Sequence, residues 1–182
     1  CGIVAYLGKK AAQPILIEGL KRLEYRGYDS AGVALLDDGA IRVKKTSGRI
    51  SALEAVLAES RGGETLGIGH TRWATHGKPN TANAHPHLDW TNKVAVVHNG
   101  IIENYAALRK WLQNEGVTFA SETDSEVIAN LIGYLYANAR EPGEGDDQNA
   151  FEGAVQQALR KLHGTFGLAI LCSDFPGVLI GA

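Results

Sequence analysis

Methionine is absent from this chain of 182 residues, and cysteine occurs only twice. Two cysteines are too few to staple a domain of this length, so a disulfide framework is excluded. A Cys1–Cys172 bridge stays open, but a reduced, cytoplasmic protein is the expectation. Cys172 lies in the apolar run 166–172 and reads as a buried, inert strand residue. The missing methionine fits a chain whose initiator has been removed, with Cys1 as the first residue of the mature protein. No signal peptide is expected ahead of Cys1, and no apolar run comes near the ~18 residues that a membrane helix needs. Neither sign of charge dominates: 18 Lys and Arg against 20 Asp and Glu give a net charge of −2. No basic field therefore points to nucleic acid or to an anionic membrane. Repeats and low-complexity linkers are absent too. What is present is a 45% apolar composition, enough to build the core of one domain, or of most of one.

Strands are expected at residues 2–7, 66–73, 93–98, 165–171 and 178–180. A hairpin is expected from 31–36 and 40–45 around Asp37-Asp38-Gly39. Helical spacing marks 14–25, with Leu16, Leu20 and Leu23 on one face. Ser51 with Glu54 and Thr123 with Glu126 are capping-box patterns. The second leads a helix with Val127, Ile128, Leu131, Ile132 and Leu135 along one side. Residues 104–115 form a helix that stops at Gly116, and Asn149 with Glu152 starts the last one. Hairpins mixed with capped helices predict an α+β fold of antiparallel sheet covered by helices. The chain ends inside an apolar strand pattern at Gly181-Ala182, so the polypeptide is expected to continue.

Cys1 places a thiol and an α-amine on one residue, a nucleophile beside a candidate base. Unperturbed, these groups titrate near ~8.5 and ~7.7–8.0, within reach of neutral pH. Five of the six histidines (His70, His76, His85, His87, His98) crowd into residues 70–98. No metal-ligand spacing organises them, so no metal is expected and they read as hydrogen-bonded loop residues that stiffen 74–89. Three loop segments carry more polar chemistry than a turn needs. Tyr25-Arg26-Gly27-Tyr28-Asp29-Ser30-Ala31-Gly32 crowds Arg, Asp and glycines into a helix-to-strand turn. Thr71-Arg72-Trp73-Ala74-Thr75-His76-Gly77 offers a guanidinium, a hydroxyl and backbone amides, which suit a carboxylate. In His98-Asn99-Gly100-Ile101-Ile102-Glu103-Asn104, the Asn99 amide and the Gly100 N–H supply two donors for an oxyanion. Taken alone, that last segment also reads as a plain Asn-Gly turn. Asp124, in the first turn of its helix, suits an ammonium or simply stabilises the helix. Together these are the parts needed to hydrolyse the side-chain amide of an α-amino acid, glutamine.

The same strings, with Asn83-Ala84-His85-Pro86-His87 and Ser121-Glu122-Thr123-Asp124-Ser125-Glu126, carry a resemblance. The chain resembles the class II glutamine amidotransferase domains. Within them it is most similar to the glutaminase domains of the glucosamine-6-phosphate synthase (glutamine–fructose-6-phosphate aminotransferase) family. The likeness covers essentially the whole chain, with no departure at a motif position. The amidophosphoribosyltransferase glutaminase is the alternative, but it typically has His in place of Tyr25 and Tyr in place of Trp73; asparagine synthetase departs further. The resemblance implies an N-terminal-nucleophile hydrolase fold, a four-layer αββα sandwich, and no cofactor. It implies that Cys1 attacks, and that Asn99 and Gly100 hold the oxyanion. It assigns Arg72, Thr75 and His76 to the glutamine α-carboxylate, and Asp124 and Gly100 to its α-amine. Trp73 would belong to a loop closing over glutamine, with Arg26 and Gly27 around the nucleophile. It further implies that residues 1–182 are the glutaminase part of a homodimeric enzyme. The absent C-terminal sugar-phosphate isomerase domain would pass ammonia to fructose 6-phosphate.

Overall fold

The computed structural model describes residues 1–58, 62–73, 80–139, 145 and 147–182. The chain runs β1 (Gly2–Leu7), α1 (Ala12–Leu23), a 3-10 turn (Glu24–Arg26), β2 (Ser30–Asp37), β3 (Ala40–Ser47), α2 (Ile50–Leu57) and β4 (Leu66–Arg72). It continues through β5 (His87–Leu88), β6 (Val94–Ile102), α3 (Tyr105–Asn114), α4 (Asp124–Asn138), α5 (Gln148–Lys161), β7 (Gly164–Cys172) and β8 (Leu179–Gly181). Two four-stranded sheets result, in the orders β1-β4-β2-β3 and β5-β6-β7-β8. Every pairing is antiparallel. As expected, Asp38 and Gly39 make the β2–β3 turn, both with positive φ (46° and 77°), the geometry that a two-residue hairpin needs.

The period of two along each strand sorts side chains into separate cores. Val33 and Leu35 of β2 pack on α1 and α2, while Ala34 and Leu36 face the second sheet. On β6, Val94 and Val96 pack on α4 and α5; Ala95 and Val97 turn toward the first sheet. The alanines Ala34, Ala95 and Ala169 keep the central layer thin enough for the sheets to stack directly. The order is therefore helices, sheet, sheet, helices, the αββα sandwich that the sequence resemblance implies. α4 is buried nearly all round its first ten residues, from Asp124 to Gly133.

Three local expectations are corrected. Ser51 does not cap α2, which starts one residue earlier at Ile50 with no side-chain cap on its own N-cap residue. The Glu24 carboxylate accepts the Ile50 N–H at 3.0 Å instead, so a tertiary contact supplies what the local pattern promised. The cap of α5 is Asp147, which accepts the Asn149 N–H at 2.9 Å, so Asn149 is already inside the helix. Residues 98–102 are not a loop: they continue β6, paired in register with β7 from Leu168 to Gly164. The Asn99-Gly100 pair is thus no turn. The Thr123 cap is present, its hydroxyl accepting the Glu126 N–H at 3.2 Å. Glu126 reaches further back than a capping box would, to the Ala120 and Ser121 N–H groups at 2.7 Å each.

Capping energies of this kind run to about 1 kcal/mol. Glu24→Ala should therefore lower unfolding free energy by roughly that amount in a urea titration. Ser51→Ala should change it by less than about 0.5 kcal/mol. The reverse ranking would show that α2 is capped locally.

Candidate active site

The register brings the chemistry-bearing residues to one end of the stacked sheets. Gly2 at the start of β1 pairs with Thr71 near the end of β4, and Ser30 at the start of β2 pairs with Arg72. Cys1, Arg72 and the 3-10 turn that precedes β2 thereby meet. From the other sheet, β6 carries His98, Asn99 and Gly100 to the same place. Asp124, the first residue of α4, joins them, its Oδ2 accepting the Ile102 N–H at 2.9 Å. A cavity of about 290 Å³ lies between these elements. Cys1, Arg72, Trp73, Asn99, Gly100, Thr123 and Asp124 are in its wall.

Cys1 is held by backbone on both of its functional groups. Its α-amino group donates to the Arg26 carbonyl at 2.6 Å. Its Sγ accepts the Trp73 N–H at 3.2 Å and faces the Trp73 carbonyl at 3.5 Å. Partial burial, aided by the Arg26 charge, lowers the amine's pKa from its ordinary 8.0, against an opposing pull from Asp29. An amine so shifted is a better-populated base at neutral pH. Gly27 makes the arrangement possible, because a Cβ there would press within 2.9 Å of the Arg72 carbonyl and the Trp73 nitrogen.

Gly100 has φ +130° within a paired strand. A side chain there would drive into the Thr165 carbonyl, so both conformation and space require glycine. Arg72 is buried. Burial lowers its pKa, while the carboxylates of Asp29 and Asp124 raise it; a guanidinium stays charged under such a shift. One cation and one anion, Arg72 and Asp124, thus line a single small cavity, the pattern that suits an α-amino acid zwitterion. Trp73 stays 53% exposed, edge-on to Tyr28 with ring centroids 5.7 Å apart.

Of the residues singled out from sequence, Cys1, Arg72, Trp73, Asn99, Gly100 and Asp124 share the cavity wall. Arg26 and Gly27 support Cys1 from behind. Thr75 and His76 lie outside the described residues. His70 and His98 sit on β4 and β6, within the strands expected at 66–73 and 93–98. His70, His85, His87 and His98 are all buried. Desolvation lowers each pKa, His70 to about 3, so all four are neutral at pH 7. His70 stacks on His85, with centroids 4.2 Å apart. The Ser125 hydroxyl bridges His85 Nε2 at 2.7 Å and His98 Nδ1 at 2.8 Å. Sequence reasoning missed Ser125, whose only signal was its place in the first turn of α4. Among the described residues, no group of His, Cys, Asp or Glu is placed to hold a metal ion, and no helix is long and apolar enough to cross a membrane.

A family model described as glutamine amidotransferase domain matches residues 70–179, more than half of the chain. Among curated proteins, the chain is 50% identical over 182 residues to glutamine–fructose-6-phosphate aminotransferase [isomerizing] of Caldanaerobacter subterraneus, covering 100% of this chain and 28% of that protein. It is 52% identical over 180 residues to the protein of the same name from Clostridium acetobutylicum, covering 99% of this chain and again 28% of the relative. Among solved structures, glutamine phosphoribosylpyrophosphate amidotransferase from B. subtilis superposes with a TM-score of 0.75 at 27% identity, covering 95% of this chain and 35% of that one. The chain thus spans little more than a quarter of the length of these curated relatives.

The two cysteines should separate cleanly in reactivity. Burial pushes the Cys172 thiol up to about 12, whereas Cys1 is only half-buried in the cavity wall. Iodoacetamide at pH 7 should alkylate Cys1 and leave Cys172 unmodified until the protein unfolds, as read by peptide mass mapping. Native-state labelling of Cys172 would contradict this structure.

Proposed function

The chain belongs to the glutamine amidotransferase domain family, and from that premise we propose that it hydrolyses glutamine through a γ-glutamyl thioester on Cys1. The observation that carries the reading is the shared wall of the 290 Å³ cavity, where Cys1, Asn99, Gly100, Arg72 and Asp124 converge. Arg72 takes the substrate α-carboxylate and Asp124 its α-ammonium, and Thr75 and His76 complete the carboxylate site. The carboxamide is thereby directed toward Cys1. The α-amine of Cys1, free and held on the Arg26 carbonyl, accepts the thiol proton, directly or through water. The thiolate attacks the carboxamide carbon, and the C=O electrons move to oxygen. The Asn99 amide and the Gly100 N–H receive that charge. The tetrahedral adduct collapses, the protonated amine gives its proton to the departing nitrogen, and ammonia leaves. Water then cleaves the thioester to release glutamate.

The names of the 50–52% identical relatives support a specific acceptor. In the longer protein, ammonia would pass to a C-terminal sugar-phosphate isomerase domain and aminate fructose 6-phosphate, giving glucosamine 6-phosphate in a homodimeric, cytoplasmic enzyme. Residues 1–182 would then be its glutaminase domain. Tyr25 and Trp73, both exposed, are the residues that set this reading apart from the amidophosphoribosyltransferase one.

Two tests follow. Cys1→Ala should abolish ammonia release from glutamine, and so should an extra residue ahead of Cys1, which removes the free amine. Full activity in the extended form would refute the amine as base. Asn99→Ala should lower kcat by ~10²–10³ with little change in KM, as expected for a donor used mainly in the transition state. The pH profile gives a further test. Because the amine's pKa is lowered, its basic form persists below pH 8.0, and kcat/KM should fall only as pH drops through that lowered value. An acid limb centred above 8.0 would contradict the assignment.

A further inference from the structure

The oxyanion site proposed above depends on which end of the Asn99 amide faces the cavity. Only the NH2 end can donate; with the oxygen inward, a lone pair would oppose the developing charge. Nothing in the Asn99 side chain itself decides this, since the two ends have nearly the same shape. The decision is made by His70. Its Nε2 lies 2.7 Å from Asn99 Oδ1, on a residue that is buried in β4 and does not line the cavity.

Building on the glutaminase reading, we propose that His70 is a positioning residue that, as the neutral Nε2–H tautomer, fixes the Asn99 amide with its NH2 toward the substrate. At 2.7 Å one of the two atoms must be a donor. If Nε2 carries the proton, the Asn99 oxygen accepts it and the amide nitrogen is left for the oxyanion. If Nδ1 carried it, Nε2 would be an acceptor, and Asn99 would turn its NH2 toward the histidine. The cavity would then lose its side-chain donor. The surroundings of the ring favour the first arrangement. Nδ1 is buried and makes no well-formed hydrogen bond; the His98 carbonyl is the one backbone acceptor the ring feels, and the 2.7 Å contact to Asn99 has the stronger claim on the ring proton. The His85 ring stacked at 4.2 Å, tilted by 27°, limits rotation of the imidazole. His85 is in turn tied to Ser125 at 2.7 Å, at the start of the helix that begins with Asp124. The orientation of Asn99 is thus braced against the same helix end that supplies the anion of the cavity.

The test uses the protein that carries this chain, after confirming that it releases ammonia from glutamine and that Cys1→Ala does not. His70→Phe keeps a flat ring but removes the donor. It should lower kcat at least about tenfold, and by no more than the ~10²–10³ expected of Asn99→Ala, with KM within about twofold. His70→Gln, whose amide nitrogen falls near the imidazole Nε2, should recover most of that loss. In an Asn99→Ala background, His70→Phe should cost nothing further, because the residue acts only through Asn99. Unchanged kcat in His70→Phe, or losses that multiply in the double variant, would overturn the proposal. If His70→Phe does not fold, nitrogen-15 imidazole shifts of the parent decide: a proton on Nε2 supports the assignment and a proton on Nδ1 overturns it. The tautomer measurement requires no turnover, so a parent without glutaminase activity would defeat the functional reading while leaving the His70–Asn99 bond separately testable.

Discussion

The site depends on a thiol held by main chain. The α-amino group of Cys1 rests on the Arg26 carbonyl at 2.6 Å, and its Sγ receives the Trp73 N–H at 3.2 Å. Those two carbonyl-bearing segments come from different parts of the chain, one leaving α1 and the other leaving β4. They approach because Gly27 has no Cβ to keep the end of β4 away. The antiparallel register then follows through: Gly2 opposite Thr71 and Ser30 opposite Arg72 set Cys1 and the buried guanidinium at the same sheet end. A one-residue slip of β1 would turn Ile3 from the inter-sheet layer to the helix side and break this placement.

The second sheet completes the cavity because the inter-sheet layer is built of small and medium side chains. Ala34, Ala95 and Ala169 let β6 pass close beneath the first sheet, so Asn99 and Gly100 reach the same cavity wall as Cys1. α4 is buried early because its first turn has work in two directions. Asp124 bonds to β6 through Ile102, and Thr123 and Ser125 bond to His87, His85 and His98. Four neutral imidazoles in this position cost less than charged ones would, and desolvation keeps them neutral. Of the four, His85 and His98 line the cavity.

Much of the fold was legible in the sequence, for reasons that differ by element. β1, the Asp38-Gly39 turn, the Gly116 stop and the Thr123 cap are governed by neighbours along the chain, and the sequence reading placed them correctly. The start of α2 was misread because its true cap, Glu24, is far away in sequence. β6 was cut short at His98 because Asn-Gly usually marks a turn, whereas here pairing with β7 outweighs that local preference. The cavity residues were legible as chemical types at particular positions, but their convergence was not. Two sheets must stack before Cys1 and Asn99 can line one wall, and no local pattern encodes that stacking. The histidines were least legible, since an imidazole on a strand looks the same in sequence whether it binds a metal, meets water or orients an amide.

The central claim is that Cys1 becomes acylated by glutamine. The most direct measurement is acid quench of the protein during turnover of isotope-labelled glutamine, followed by peptide mass mapping. The account predicts a γ-glutamyl adduct on the peptide beginning at Cys1, lost on brief treatment with hydroxylamine, as a thioester should be. Turnover with no adduct on Cys1 at any quench time, or label carried instead by another residue, would contradict it.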